Sequence, residues 1–240
     1  MPHVRMLDHS RLFQWAVLAL LWSLIYLSAL SSPALLNDAD SVHAEAAREM
    51  VAREDWVTLH INGLRYLEKA PLLYWLSALA ITLFGPLEWA VRLPVALFGL
   101  FLTLLLYRFG SRFWGDRVGF FAALIYVTSL GPYAFSRVLL PDVMLTFFVT
   151  LAFYTYLQVL HQPQLAPEPL GCWQPRGMGL FVAGALAMLA KGLVGCIFIV
   201  GVIFVHRLLS GRWAAFKRWE ILAGVGTGSN EGAEIVQLDA

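Results

Sequence analysis

The chain has 240 residues, of which 59% are hydrophobic and only 14% are charged. Soluble domains are typically about 45–50% apolar and about 25% charged, so this composition excludes a soluble globular enzyme, a disordered chain and a disulfide-stapled secreted domain. It indicates a polytopic membrane protein in a lipid bilayer, and the formal net charge of +1 gives no support for a nucleic-acid partner.

The first apolar run extends from Leu12 to Leu30 and follows the basic residues Arg5 and Arg11. It is longer than the roughly 7–15 residues of a signal-peptide core, so we expect a retained helix. Because basic flanks stay in the cytoplasm, the N-terminus is predicted to be cytoplasmic and the following loop external. That loop is rich in acid, since seven of the 16 acidic residues lie between Asp38 and Lys69.

The segment Asp38-Ala39-Asp40-Ser41 is predicted to open an amphipathic helix in this loop, with Asp40 or Ser41 as the N-cap. Two interpretations stay open. In the first, both aspartates only cap the helix. In the second, one of them is a carboxylate placed just above the membrane as a general base or metal ligand. The histidines of the loop, His43 and His60, could ligate a metal ion, but a lone histidine is more often a surface residue, which is what we expect of both.

Glu68 and Lys69 lie where the chain re-enters apolar surroundings. Charges at such a boundary are costly and tend to be functional, and a lysine there suits a lipid phosphate; the alternative is ordinary snorkelling at a helix end. The next apolar segment, Pro71 to Phe84, is about 21 Å long as a helix, shorter than the roughly 30 Å hydrocarbon core. We predict that it lies at the outer interface or packs among other helices. Aromatic residues around it are expected to form an interface belt: Trp56, Tyr66, Tyr74 and Trp75.

Trp89 to Tyr107 is long enough to span the membrane, and the basic residues that follow predict a cytoplasmic loop. The chain is expected to return outward over Phe120 to Phe135 and to turn at an external segment that ends in Asp142. It then crosses back over Met144 to Leu160. His161 to Arg176 contains four prolines, so it is predicted to be a cytoplasmic loop.

Gly177 to Val205 is apolar except for Lys191 and Gly192 near its middle. Both of its flanks are predicted to be cytoplasmic, which favours a hairpin of two short helices with Lys191 at the outer tip. The alternative is one long helix with a snorkelling lysine. After Val225 the chain becomes polar and glycine-rich, so residues 226–240 are predicted to be a polar tail that is disordered or a truncation product.

The side chains that could perform chemistry are thus all predicted on the outer face, near the membrane boundary: the acids Asp38, Asp40 and Asp142 and the bases Lys69 and Lys191. Asp142 is either a helix cap favoured by the helix dipole or a second carboxylate that faces the first loop. Carboxylates and cations that converge there fit a substrate with a phosphate and a lipid tail. They also fit an ion-coupled transporter.

Four motifs follow one another along the chain: Asp38–Met50, Gly63–Pro71, Leu139–Asp142 and Ala190–Gly192. Together they resemble the bacterial aminoarabinose-transferase and protein-mannosyltransferase-like glycosyltransferases of the integral-membrane GT-C superfamily. The resemblance implies an all-α fold, a polytopic transmembrane helical bundle whose external first loop carries juxtamembrane helices. Family members are longer, so residues 1–225 are expected to be the N-terminal part of such a transmembrane domain.

The resemblance implies an enzyme of the bacterial inner membrane. It would transfer a sugar, with inversion, from a polyprenyl-phosphate donor to a periplasmic lipid, glycan or protein acceptor. No nucleotide cofactor is expected, because polyprenyl phosphate is already a competent leaving group. Two alternatives remain: a transporter or flippase of a lipid-linked sugar, and an inactive membrane fragment of the transferase.

The resemblance also implies roles for single residues. Asp38 or Asp40 would be the catalytic acid of the first loop, and the local pattern leaves open which of the two. Glu68 would contact a divalent metal ion, and Lys69 the donor phosphate. Asp142 matches the acid of the second loop, and Lys191 matches a lysine of the donor-phosphate site.

Overall fold

The computed structural model describes residues 9–31, 38–161 and 175–209. These residues form nine α-helices, one short 3-10 helix and one two-stranded hairpin, which confirms the predicted all-α class. In chain order the elements are α1 (His9–Tyr26), a 3-10 turn (Leu27–Ala29), α2 (Asp38–Arg53), β1 (His60–Ile61), β2 (Leu64–Arg65), α3 (Leu72–Phe84), α4 (Glu88–Phe113), α5 (Asp116–Thr128), α6 (Leu130–Arg137), α7 (Asp142–Leu160), α8 (Pro175–Lys191) and α9 (Leu193–Leu209).

Helices α4 and α7, with 26 and 19 residues, are each long and apolar enough to cross a membrane. A third candidate span consists of α5 and α6, which are bent by 52° at the break between them. Helices α1, α3, α8 and α9 are apolar but shorter. The protein is therefore a multi-pass membrane protein, as its composition predicts.

Helix α3 has 13 residues and packs against α2 and α4. Of the two places predicted for this segment, the structure therefore supports packing among other helices. Its Tyr74 is 1% exposed, so the prediction that Tyr74 belongs to an interface belt is wrong. Trp75 is only partly buried, and its indole N–H donates to the carbonyl of Trp56 at 2.7 Å.

The main hydrophobic core joins α2 to the membrane helices. It combines side chains from α2, α3, α4, α7 and α8, and several of its members are at most 2% exposed: Met50, Leu73, Val95 and Met144. The hairpin β1–β2 turns at Asn62-Gly63 and is tied to α2, because the Gly63 N–H donates to the Glu49 carboxylate at 3.1 Å. The first-loop helix therefore has a fixed position against the bundle.

Helices α8 and α9 form the predicted hairpin. They turn at Gly192, whose φ of +72° lies in the region that favours glycine. The alternative of one long helix is wrong, and Lys191 ends α8 at the tip. The loop predicted between His161 and Arg176 lies largely outside the described residues, and the predicted tail over residues 226–240 lies wholly outside them.

Candidate functional site

A buried ion pair joins the first-loop helix to α4. The Arg92 guanidinium donates to Asp40 Oδ2 at 3.1 Å, and the two side chains are 1% and 6% exposed. A second Arg92 nitrogen donates to the carbonyl of Leu30 at 3.2 Å. Unpaired charges are costly when buried, so each of these two groups offsets the charge of the other.

The other oxygen of the same carboxylate holds the second external segment. Asp40 Oδ1 accepts the backbone N–H of Leu139 at 2.6 Å, 99 residues along the chain. The sequence predicted Asp40 as one of two possible N-caps of α2. The structure shows that Asp40 does not have this role. Helix α2 already begins at Asp38, and the Asp40 side chain reaches sideways to α4 and Leu139. The side chain of Asp38 lies outside what the structure describes.

His43 lies one turn after Asp40 and is 6% exposed, so its expected surface position is wrong. Its Nδ1 is 2.7 Å from the Tyr74 hydroxyl of α3. Burial lowers the pKa of His43, and the positive charge of Lys69 lowers it further, whereas the carboxylate of Asp40 opposes both effects. Lys69 and Asp40 thus both act electrostatically on the His43 ring.

Asp142 and Lys191 form an ion pair at the same end of the bundle. Asp142 starts α7 and Lys191 ends α8, so each charge also lies at the helix terminus whose dipole favours it. Both side chains are about one third exposed, at 33% and 38%, and a ligand can reach them. Leu139 precedes Asp142 by three residues, so its hydrogen bond to Asp40 connects this pair to the first loop.

Glu68 and Lys69 are exposed and lie just before α3. Within the described ranges, neither side chain has a hydrogen bond or ion pair. Nor do these ranges contain a group of three or more His, Cys, Asp and Glu side chains that could hold a metal ion. Glu68 therefore has no companion ligands here, and its assignment to a metal stays a prediction.

The structure places several of the predicted charged residues in one region, whereas their assignment to a site stays a prediction. The charges of Lys69 and Asp40 both act on the buried His43. Asp40 also accepts the Leu139 N–H, three residues before the Asp142 that pairs with Lys191. The roles of these residues in a reaction stay predictions.

Sequence reasoning missed Arg92, although a signal was present. The residue lies near the start of the apolar run from Trp89 to Tyr107. An ionisable residue in an apolar span marks a functional candidate, the argument that singled out Lys191.

Residues 68–227 match the family of dolichyl-phosphate-mannose-protein mannosyltransferases. This range covers most of the bundle and includes three of the charged residues described above: Lys69, Asp142 and Lys191. The chain belongs to this family. It is also 30% identical, over 216 residues, to the undecaprenyl phosphate-alpha-4-amino-4-deoxy-L-arabinose arabinosyl transferase of Pectobacterium atrosepticum, an alignment that covers 82% of this chain and 39% of that protein.

Solved structures show the same architecture. The crystal structure of ArnT from Cupriavidus metallidurans in the apo state superposes with a TM-score of 0.75 at 26% identity, over 90% of this chain and 39% of that one. The crystal structure of the same protein bound to undecaprenyl phosphate gives the same TM-score over 91% of this chain. The chain thus has the GT-C membrane fold and spans 39% of the length of these proteins.

Proposed function

We propose that this protein is a polyprenyl-phosphate-dependent glycosyltransferase that acts at the outer face of the bacterial inner membrane. The observation that carries the proposal is the accessible pair of Asp142 with Lys191, which the Asp40–Leu139 hydrogen bond joins to the first loop and its Lys69. Cations beside carboxylates at the end of apolar helices suit a lipid-linked phosphate donor and a nucleophilic acceptor. The similarity to proteins named for an undecaprenyl-phosphate-linked sugar supports the donor class.

Lys69 and Lys191 are the proposed contacts of the donor phosphate. Lys69 is exposed and has no ion-pair partner among the described side chains, so its ammonium is available to an anion. Lys191 is held in place by Asp142 and is still 38% exposed. A charge-assisted hydrogen bond from either lysine would strengthen as negative charge develops on the leaving phosphate.

The reaction is an inverting substitution at the anomeric carbon of the sugar. The acceptor oxygen forms a bond to that carbon from the face opposite the phosphate, and the bond from the carbon to the phosphate oxygen breaks. The electron pair of that bond stays with the polyprenyl phosphate, beside the two lysines. The proton of the acceptor passes to a carboxylate that acts as general base.

Asp40 is a poor choice for that base, because both of its oxygens are engaged and its side chain is 6% exposed. We assign Asp40 and Arg92 to positioning the loop that carries Asp142. Of the two first-loop aspartates, Asp38 is then the proposed base or acceptor-orienting group. Asp142 is the second acid, and its ion pair with Lys191 orients that lysine.

The test is transfer of a labelled sugar from undecaprenyl-phosphate donors by membranes that contain the protein. Lys69→Gln and Asp142→Asn are expected to lower kcat/KM about 10- to 100-fold, as expected for the loss of one charge-assisted contact. Arg48→Gln is the matched control, since Arg48 is exposed on α2 and, among the described residues, forms an ion pair with Glu45 alone. Equal rates of sugar transfer by the parent protein and the three variants would show that the site assignment is wrong. Movement of the donor across the bilayer without a transfer product would indicate a flippase.

A further inference from the structure

A polar cavity lies at the end of the helical bundle opposite the candidate site. It has a volume of about 590 Å³ and lies between the start of α1 and the ends of α4 and α7. On α4 its Arg108 follows Arg92 by 16 residues, and on α7 its Gln158 follows Asp142 by 16 residues. At 1.5 Å per residue, about 24 Å along each helix separates this cavity from the candidate site.

The walls carry an excess of positive charge. Three guanidinium groups, those of Arg11, Arg108 and Arg112, face the cavity together with one carboxylate, that of Asp116. Arg11 already occupies that carboxylate with two hydrogen bonds, of 2.9 and 3.1 Å. No carboxylate in the described part of the chain pairs with Arg108 or Arg112.

Arg108 and Arg112 are also four residues apart on one helix, so they lie on the same face and repel one another. An anion between them would relieve this repulsion. Guanidinium groups bind phosphate oxygens through paired N–H donors, so a phosphate group matches the two arginines in charge and in geometry.

The rest of the lining fits the setting of a lipid. Trp15, Tyr107 and Tyr154 are aromatic residues of the type that lie at the level of lipid head groups. Basic pockets between transmembrane helices are typical binding sites for anionic head groups. The cavity volume also lies within the range of small-molecule sites.

We propose that this cavity binds the phosphate group of an anionic phospholipid or of a small phosphate ester, with Arg108 and Arg112 as the ligands of the anion. This site lies on the other side of the bundle from the candidate transferase site, and it does not depend on the proposed function.

The purified full-length chain in detergent tests the proposal by titration with phosphatidylglycerol and with phosphatidylcholine of the same acyl chains. Native mass spectrometry gives the affinities. Phosphatidylglycerol is expected to bind at least about tenfold more tightly, and the Arg108→Gln, Arg112→Gln double variant is expected to lose that preference. Competition with inorganic phosphate distinguishes the two kinds of ligand. Displacement of phosphatidylglycerol by phosphate indicates that the cavity recognises the phosphate group alone. If phosphate does not displace the lipid, the cavity recognises the whole lipid head group.

Arg117→Gln is the matched control, because Arg117 is exposed at the same end of the molecule but does not line the cavity. Its affinity is expected to stay within about twofold of the parent protein. The proposal would be overturned if Arg117→Gln lost as much affinity for phosphatidylglycerol as the double variant does, or if the double variant kept the affinity of the parent protein. Gln158→Glu, which adds an acid to the lining, serves if the double variant does not fold, and it is expected to weaken phosphatidylglycerol binding as well.

Discussion

The buried pair of Arg92 with Asp40 connects three parts of the chain that are far apart in sequence: the end of the first helical segment at Leu30, the first-loop helix and the loop at Leu139. Removing one partner leaves the other charge buried and unpaired. Arg92→Gln is therefore expected to lower the free energy of unfolding by about 3–5 kcal/mol. Thermal or denaturant unfolding of the detergent-solubilised protein measures this loss.

The control for Arg92 is Arg48→Gln, which breaks an exposed ion pair that solvent screens, so it is expected to change the stability little. The double variant Asp40→Asn, Arg92→Gln should lose less stability than the two single variants combined, because the two groups interact directly. If Arg92→Gln costs no more than Arg48→Gln, the pair does not anchor the site.

His43 makes stability depend on pH. Its pKa in the folded protein is lowered, chiefly by burial and then by the charge of Lys69, whereas in the unfolded chain it has its ordinary value of about 6.5. Around and below that ordinary value the unfolded state binds more protons than the folded state does, so stability falls as the pH falls through about 6.5. His43→Gln should reduce this slope in unfolding experiments at several pH values. His60→Gln should retain it, and equal slopes in all three proteins would show that His43 is not responsible.

At the scale of elements, α4 and α5 approach so closely that glycine is required. A Cβ on Gly119 would clash with the backbone oxygen of Tyr107, which cannot move without shifting α4. Gly119→Ala is therefore expected to destabilise the protein by about 1–3 kcal/mol. Gly184→Ala is the control, since nothing lies within 4 Å of its added carbon. The unfolding midpoints of the two variants decide the point, and equal midpoints would contradict the close packing.

The helices were largely predictable from the sequence, because apolar runs and their lengths depend on local composition. The short α3 and the turn at Gly192 are the clearest cases. The hairpin at Asn62-Gly63 also has a local signal, because this dipeptide favours a tight turn between two strands. The bend between α5 and α6 and the burial of His43 depend on packing against other helices, and no local pattern specifies such contacts.

The candidate site was predictable to a similar extent. Charges isolated in apolar surroundings identified Lys69, Asp142 and Lys191 as candidates. That Asp40 binds Arg92 and the Leu139 backbone could not be predicted, since these partners are 52 and 99 residues away. The spatial partner decides whether an aspartate caps, positions or reacts, and sequence spacing does not encode that partner.

At the scale of the whole molecule, the candidate site and the arginine-lined cavity lie at opposite ends of α4 and α7. The basic residues at the cavity end favour a cytoplasmic location for that end.

Cysteine labelling tests this orientation in a protein whose two own cysteines are removed by Cys172→Ser and Cys196→Ser. In that protein, the Lys69→Cys variant should react with a membrane-impermeant maleimide in cells with a permeable outer membrane. A cysteine replacing Arg117 should react only after the inner membrane is opened. Labelling of both from the same side would contradict this orientation.

If the first loop and the tip of the α8–α9 hairpin form one site for a lipid-linked phosphate, Lys69 and Lys191 both contribute to its affinity. The dissociation constant of undecaprenyl phosphate for the purified protein measures that contribution. Lys69→Gln and Lys191→Gln are each expected to weaken binding about tenfold or more, and Arg48→Gln is expected to leave it unchanged. An unchanged dissociation constant in the Lys69→Gln, Lys191→Gln double variant would show that the two lysines do not form such a site.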